Sequence, residues 1–246
     1  MTHKRIIIAG ATSGMGYELA KKYIEAGNKV GVIGRREKVL EELQALQPDK
    51  VFVKVIDITT KESGDLLKEL VTEVGGIDCY IHVSGVGSQN FYLDEKIEMN
   101  TVQTNCIGFT RMIDTAFNIF AEQGYGHIAA ITSVAGTKGL GVTPSYSASK
   151  RFQSIYLQSL AQLSHIRKLK IKFTDIRPGF VNTDLLKHKY NKLLLMDKKY
   201  ASAIIYKAIN AKRRVKIIDF RYAIIIFFWR LAPNCLWEKM NVTTKD

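Results

Sequence analysis

Tyr146 and Lys150 stand four residues apart in the run Tyr146-Ser-Ala-Ser-Lys150, thirteen residues after Ser133. On a helix that spacing puts both side chains on one face, about a turn apart. A phenol titrates near pH ~10 and trades protons readily at neutral pH only if its anion is stabilised, which a neighbouring ammonium does. Ser133, at the tip of a β-branched run, can hydrogen-bond the oxygen that receives the proton. Asn105, within a long helical pattern, is a buried amide that could hold a water connecting Lys150 to solvent. Singly, each has an ordinary reading: a turn serine, a helix-start aromatic, a solvated charge, a core amide. Together they read as an apparatus for proton transfer to a carbonyl oxygen.

The chain opens with the apolar run Arg5 to Ala9 and then Gly10-Ala-Thr-Ser-Gly14-Met-Gly16. Glycines at these positions allow a sharp strand-to-helix turn whose backbone approaches a pyrophosphate, with Thr12, Ser13 and Met15 filling the remaining loop positions. The bland alternative is a tight turn with no ligand. The second apolar run, Lys29 to Ile33, ends in Gly34-Arg35-Arg36 with no acid at its tip. An acid there would suit a ribose 2′-hydroxyl, whereas a guanidinium suits a 2′-phosphate, so Arg35 and Arg36 favour NADP(H) over NAD(H), the alternative being solvated surface residues at a helix start. Asp57, followed by Ile58, is open between a bond to the adenine amino group and a cap for a helix near Thr60. Ser84-Gly85 offers a small surface for a ribose, or a plain turn.

These residues need a scaffold that brings strand ends together. Short strands are expected at Arg5 to Ala9, Lys29 to Ile33, Val51 to Val55, Cys79 to Val83, His127 to Thr132, Ile171 to Ile176 and Val215 to Ile218. Helical patterns occupy Gly14 to Ala26, Glu37 to Leu46, Lys61 to Val74, Glu95 to Ala121, Ser145 to Ile166 and Lys198 to Ala211. This alternation predicts a three-layer α/β fold around a seven-stranded parallel sheet, with ligands beyond the carboxyl ends of the strands. Functional loops are expected at Ser133 to Pro144 and Pro178 to Asp197.

On the glycine turn, Asp57, Asn105, Ser133, Tyr146, Lys150 and Pro178-Gly-Phe-Val-Asn-Thr183, the chain resembles the short-chain dehydrogenase/reductases with a TGxxxGxG turn and a YxxxK step. The resemblance covers roughly residues 4 to 220. It implies a Rossmann-like doubly wound sheet of order 3-2-1-4-5-6-7 and a Ser/Tyr/Lys site assisted by Asn105. It also implies cofactor contacts at Gly10, Thr12, Ser13, Gly14, Met15, Gly16, Asp57, Ile58, Ser84, Gly85, Tyr146, Pro178 and Gly179. Lys150 would meet the nicotinamide ribose, Val181 and Thr183 the carboxamide. A homodimer or homotetramer through long helices is implied likewise. The family's Asn-Asn-Ala-Gly is replaced by His82-Val83-Ser84-Gly85, and the first Thr of its glycine motif by Ala9.

At 246 residues, 46% hydrophobic and 24% charged, the chain fits one globular domain and not a disordered or multispanning chain. Cys79, Cys106 and Cys235 are far apart, with no disulfide or metal spacing, which suits a reducing cytoplasm. Lys4 and Arg5 lead into too short an apolar run for a secretory signal. The net charge of +13 is uneven: residues 187 to 246 carry 14 Lys/Arg against 4 Asp/Glu, residues 1 to 186 carry 22 against 19. The basic excess coincides with the apolar run Tyr222 to Trp229, so no nucleic-acid partner is expected. We therefore read residues 1 to 219 as a catalytic domain and 220 to 246 as an extension. That extension is a lid, a subunit interface, or a segment lying peripherally on an anionic membrane, such as the inner membrane surface. Leu185, Leu186, Leu193, Leu194, Leu195 and Met196 could line an apolar entrance or be ordinary core. The expectation is NADP(H)-dependent reduction of a hydrophobic ketone or 3-oxo compound to an alcohol. Alternatives are an alcohol or sterol-type dehydrogenase running oxidatively, or a catalytically idle dinucleotide-binding sensor.

Overall fold

The structure is a computed structural model and describes residues 3–182 and 194–242. β1 (Arg5–Ala9), β2 (Lys29–Gly34), β3 (Val51–Val55), β4 (Cys79–His82), β5 (Tyr125–Ile131), β6 (Lys170–Arg177) and β7 (Val215–Ile217) are linked by helical crossovers. They form one seven-stranded parallel sheet of order β3-β2-β1-β4-β5-β6-β7. The order reverses between β1 and β4, whose registers pair Ala9 with His82, and this opens a crevice at the strand ends.

The inner strands are apolar on both faces because helices cover both. In β1, Ile6 and Ile8 join one core with Leu19 and Tyr23 of α1 (Gly14–Glu25), Leu40 of α2 (Glu37–Gln44) and Ile205 of α7 (Lys198–Asn210). Ile7 and Ala9 join the other with Leu67 of α3 (Ser63–Val74), Phe120 of α5 (Phe109–Gln123) and Leu157 of α6 (Pro144–Ile166). This period-two split is what a doubly covered parallel strand requires.

Two elements differ from the sequence expectation. The pattern read as one helix from Glu95 to Ala121 is α4 (Glu95–Val102), a π-helical turn over Gln103–Gly108, and then α5. An inserted turn of this kind shifts the face a helix presents, and Asn105 sits within it. The apolar run after Phe220 is α8 (Phe220–Leu231), followed by the short α9 (Asn234–Trp237). Asp219 starts α8 by accepting from the Arg221 backbone N–H at 2.9 Å. Among the described residues no helix is long and apolar enough to cross a membrane.

Candidate active site

The glycine turn leads into α1 with open backbone donors. Gly10 has φ +91°, and a β-carbon there would come within 2.6 Å of the Ser84 nitrogen. A β-carbon at Gly16 would collide with the Gly10 carbonyl oxygen, so the turn closes only on glycine. Ser13 precedes the helix without a side-chain cap, and its first turn carries no acid. The first N–H groups therefore remain open to an anion. This cradle fits a dinucleotide pyrophosphate. Thr12 packs its methyl against Gly34, and the Met15 carbonyl accepts from the Ser202 hydroxyl at 3.3 Å.

At the end of β2, Arg35 is largely exposed and lies 3.7 Å from Asp57 across water-accessible space, a weak pair. Arg36 occupies the N-cap of α2. Asp57 accepts from the Thr59 backbone N–H at 2.9 Å and the Thr59 hydroxyl at 2.7 Å. Burial raises its carboxyl, but the Thr59 bonds and Arg35 outweigh that and hold it below its ordinary value. Since α3 begins at Ser63, Asp57 is a turn residue and not the cap of that helix. Ile58 is buried, with its carbonyl facing Gly108 of the π-helical turn.

Tyr146 lies in the first turn of α6, its ring packed against Gly87, and Lys150 Nζ stands 5.7 Å from that ring's centroid. Lys150 is only 4% exposed. Its ammonium donates to the Ile131 carbonyl at 3.1 Å and to Gln153 Oε1 at 3.0 Å. Burial pushes its pKa down to about 8, partly offset by Asp175 and Cys106. Gly85 completes this wall: a β-carbon there would lie 3.2 Å from Asn105 Oδ1 and 3.3 Å from Lys150 Nζ. The Asn105 amide is already committed, donating to the Val86 carbonyl at 2.7 Å and Ser149 Oγ at 3.0 Å while accepting from the Val86 N–H at 2.9 Å.

Ser133 is extended at the end of β5; its hydroxyl accepts from the Ala135 N–H at 3.1 Å and donates to the Pro178 carbonyl at 3.4 Å. The 3₁₀ turn that follows, Val134–Thr137, lies against α6, with Gly136 facing the Lys150 backbone. Val181 is buried and forms an isolated parallel bridge with Met196. Gly179 abuts the Tyr222 ring, whose hydroxyl accepts from the Phe180 N–H and donates to the Leu194 carbonyl, both at 2.9 Å. Thr183, Leu185, Leu186 and Leu193 lie outside the described residues, while Met196 is buried and Leu194 packs against the core, so these two are core and not the lining of an entrance.

The structure thus brings together Asn105, Tyr146, Lys150 and Gly85, with Ser133 on the adjoining turn and the glycine cradle opposite Ser84. Sequence reasoning missed Gln153 and Ser149. Gln153 follows Lys150 by three residues, so helical spacing alone put it on the same face. It also missed that His82 is buried, with Nδ1 3.1 Å from the Tyr80 hydroxyl; burial and the Lys150 charge push it down to about 3, which keeps it neutral.

A doubly wound sheet with a glycine turn after its first strand and a polar cluster at its carboxyl ends is the architecture of dinucleotide-dependent oxidoreductases. Comparison with known families narrows that class: residues 4–193 match the family described as short chain dehydrogenase, and this chain belongs to it. The family binds a nicotinamide dinucleotide, acts in general on small molecules and commonly forms oligomers. An uncharacterised oxidoreductase of Mycobacterium tuberculosis is 31% identical over 206 residues, covering 80% of this chain and 81% of that one. Among solved structures, a short-chain dehydrogenase from Streptomyces avermitilis superposes with a TM-score of 0.81 at 20% identity, covering 93% of each chain. A structure described as ElxO with NADP bound gives 0.79 at 18% identity, covering 91% of this chain and 100% of that one. At such identities these two likenesses establish the fold.

Proposed function

We propose that this oxidoreductase uses NADPH to reduce the carbonyl of a hydrophobic ketone or 3-oxo compound, with Tyr146 as general acid. The observation that carries this reading is the buried Lys150 ammonium 5.7 Å from the Tyr146 ring centroid, beside the strand ends. A cation there stabilises the phenolate left when Tyr146 gives its proton to the substrate oxygen. Ser133 orients that oxygen by a hydrogen bond, and Asn105 fixes the loop at Val86 that backs the site. Bound NADPH would supply the hydride to the carbonyl carbon. The glycine cradle and Val181 would hold the dinucleotide.

NADP(H) is favoured by Arg35 and Arg36. A cation at the N-cap of α2 opposes the helix dipole, and the ion pair of Arg35 with Asp57 is weak, so an added phosphate relieves both. Purified protein with NADPH and a panel of apolar ketones should consume reduced cofactor, and Tyr146→Phe should lower turnover about 100-fold or more. Full activity in that variant refutes the assigned acid. Replacing Arg35 and Arg36 by Ser should raise KM for NADPH and leave that for NADH unchanged; equal effects remove the 2′-phosphate contact.

A peripheral lipid contact is the second part of the reading, and α8 favours it. Phe220, Ile224, Phe227, Phe228 and Leu231 are all exposed and recur along one face, while Tyr222 and Ile226 on the other face enter the core. At a period of 3.6, Arg230 flanks the exposed stripe on one side and Arg221, ion-paired with the Asp219 carboxylate, on the other. An apolar face edged by cations is the pattern of a helix lying in an anionic interface. This favours a substrate that is itself lipid-like. Assembly into a homodimer or homotetramer is supported by Ile107 on the π-helical turn and Ile155 and Leu163 on α6, apolar side chains left at the surface.

A further inference from the structure

Lys150 must keep a fixed direction and a positive charge if it serves Tyr146, and its two hydrogen-bond acceptors among the described residues are both neutral. One is the Ile131 carbonyl at 3.1 Å; the other is Gln153 Oε1 at 3.0 Å. Gln153 is wholly buried, and its amide nitrogen donates to the Asn105 backbone carbonyl at 2.9 Å. Its orientation is therefore unambiguous. A carbonyl only accepts and an ammonium only donates, so turning the amide over would set like against like at both ends.

We propose that Gln153 is a positioning residue for the reaction: its side chain spans from the Asn105 backbone to Lys150 and holds the ammonium toward Tyr146. The idea rests on the reductase reading above. An ammonium has three donors, and the Ile131 carbonyl and Gln153 take two of them, which leaves one for the Tyr146 side of the site. Asn105 contributes through its main chain as well as its amide, because the π-helical turn carries both toward α6. The Gln153 side chain thus joins the lysine to the π-helical turn directly.

The choice of an amide rather than a carboxylate matters electrically. A buried neutral dipole holds the ammonium without a countercharge, in keeping with a lysine pushed down to about 8 by burial. The other ionisable groups near it are Cys106 on the π-helical turn, His82 at the end of β4, Asp175 on β6 and Tyr146 on α6. Substitution at Gln153 leaves all four in place.

The test follows the lysine directly in the cofactor-free protein, through the ε-carbon resonance of isotope-labelled lysine, with Lys150 assigned by its loss in Lys150→Met. Gln153→Glu, differing by one atom, should raise the Lys150 midpoint by about one pH unit or more, since an opposite charge favours the ammonium. Gln153→Met should lower it, since an acceptor is lost. With NADPH and a turned-over ketone, the alkaline limb of kcat should move in the same two directions while KM for NADPH stays within about twofold. A midpoint unmoved in folded Gln153→Glu overturns the proposal, and so does a shifted midpoint that the kcat limb does not follow. Should Gln153→Met fail to fold, the Glu variant alone decides. If the native protein turns over no ketone, the reductase reading falls, and the titration still decides whether Gln153 governs Lys150.

Discussion

At the scale of single residues, Lys150 sets stability against chemistry. Its pKa falls from the ordinary 10.5 to about 8 because the folded protein buries the charge. A lysine depressed in this way is protonated in the unfolded chain but neutral in the fold between those two values, so folding stability rises as pH climbs through that window. Below pH ~8 the full burden remains, about 3 kcal/mol at 1.36 kcal/mol per unit. Lys150→Met removes the titration. The expected outcome is that the stability difference between the Met variant and the native protein shifts toward the native form as pH is raised from 8 to 10.5, read by denaturant melts. A difference that stays flat across that range contradicts a buried, depressed lysine. Cys79 shows the inert counterpart: burial pushes its thiol up to about 12, and its sulfur lies 3.6 Å from His127 in the core.

At the scale of elements, the sheet and most helices were legible because β-branched runs and amphipathic patterns are local signals. β1 and β3 fall where the apolar runs place them, and α6 begins one residue earlier than the pattern suggests, at Pro144. The π-helical turn around Asn105 was not legible, because a period of 3.6 cannot reveal where one helix gains a residue and changes face. Nor was α8, whose two faces are both apolar and so show little contrast. Besides the packing of Tyr222 and Ile226 into the core, long-range polar contacts hold α8 in place. Tyr222 reaches back to the Phe180 N–H and the Leu194 carbonyl, and Trp237 Nε1 beyond α8 donates to the Gly139 carbonyl at 2.7 Å. Tyr222→Phe keeps the ring against Gly179 but leaves those two backbone groups without their partner. We expect a loss of about 1–3 kcal/mol in the denaturant midpoint analysis. A loss below about 0.5 kcal/mol means that α8 is held by packing alone.

At the scale of the whole molecule, charge and apolarity are distributed together. Beyond residue 186 the chain has 14 Lys/Arg against 4 Asp/Glu, and that same stretch carries the exposed face of α8. Residues 220–242 are docked rather than trailing: Lys138 donates to the Ala232 carbonyl at 2.9 Å and Asn234 Oδ1 at 2.7 Å, and Trp229 meets Trp237 at 5.0 Å between ring centroids. Lys138 belongs to the loop that follows Ser133, so the apolar stripe sits on an element joined to the site. A second copy of the chain could cover that stripe too, but dimerisation would make no use of the basic excess and would not depend on lipid charge. Attraction to an anionic leaflet is worth about 1 kcal/mol per cation near the surface and fades with salt. We therefore expect the native protein to sediment with vesicles rich in anionic lipid, to release from them as salt rises, and to ignore neutral vesicles. Phe227→Ser with Phe228→Ser, both exposed and outside the core, should weaken that partitioning at least about tenfold while leaving the melting midpoint unchanged. Equal sedimentation of native and variant protein removes the lipid contact, and a change in oligomer mass in the variant assigns the stripe to a second copy instead.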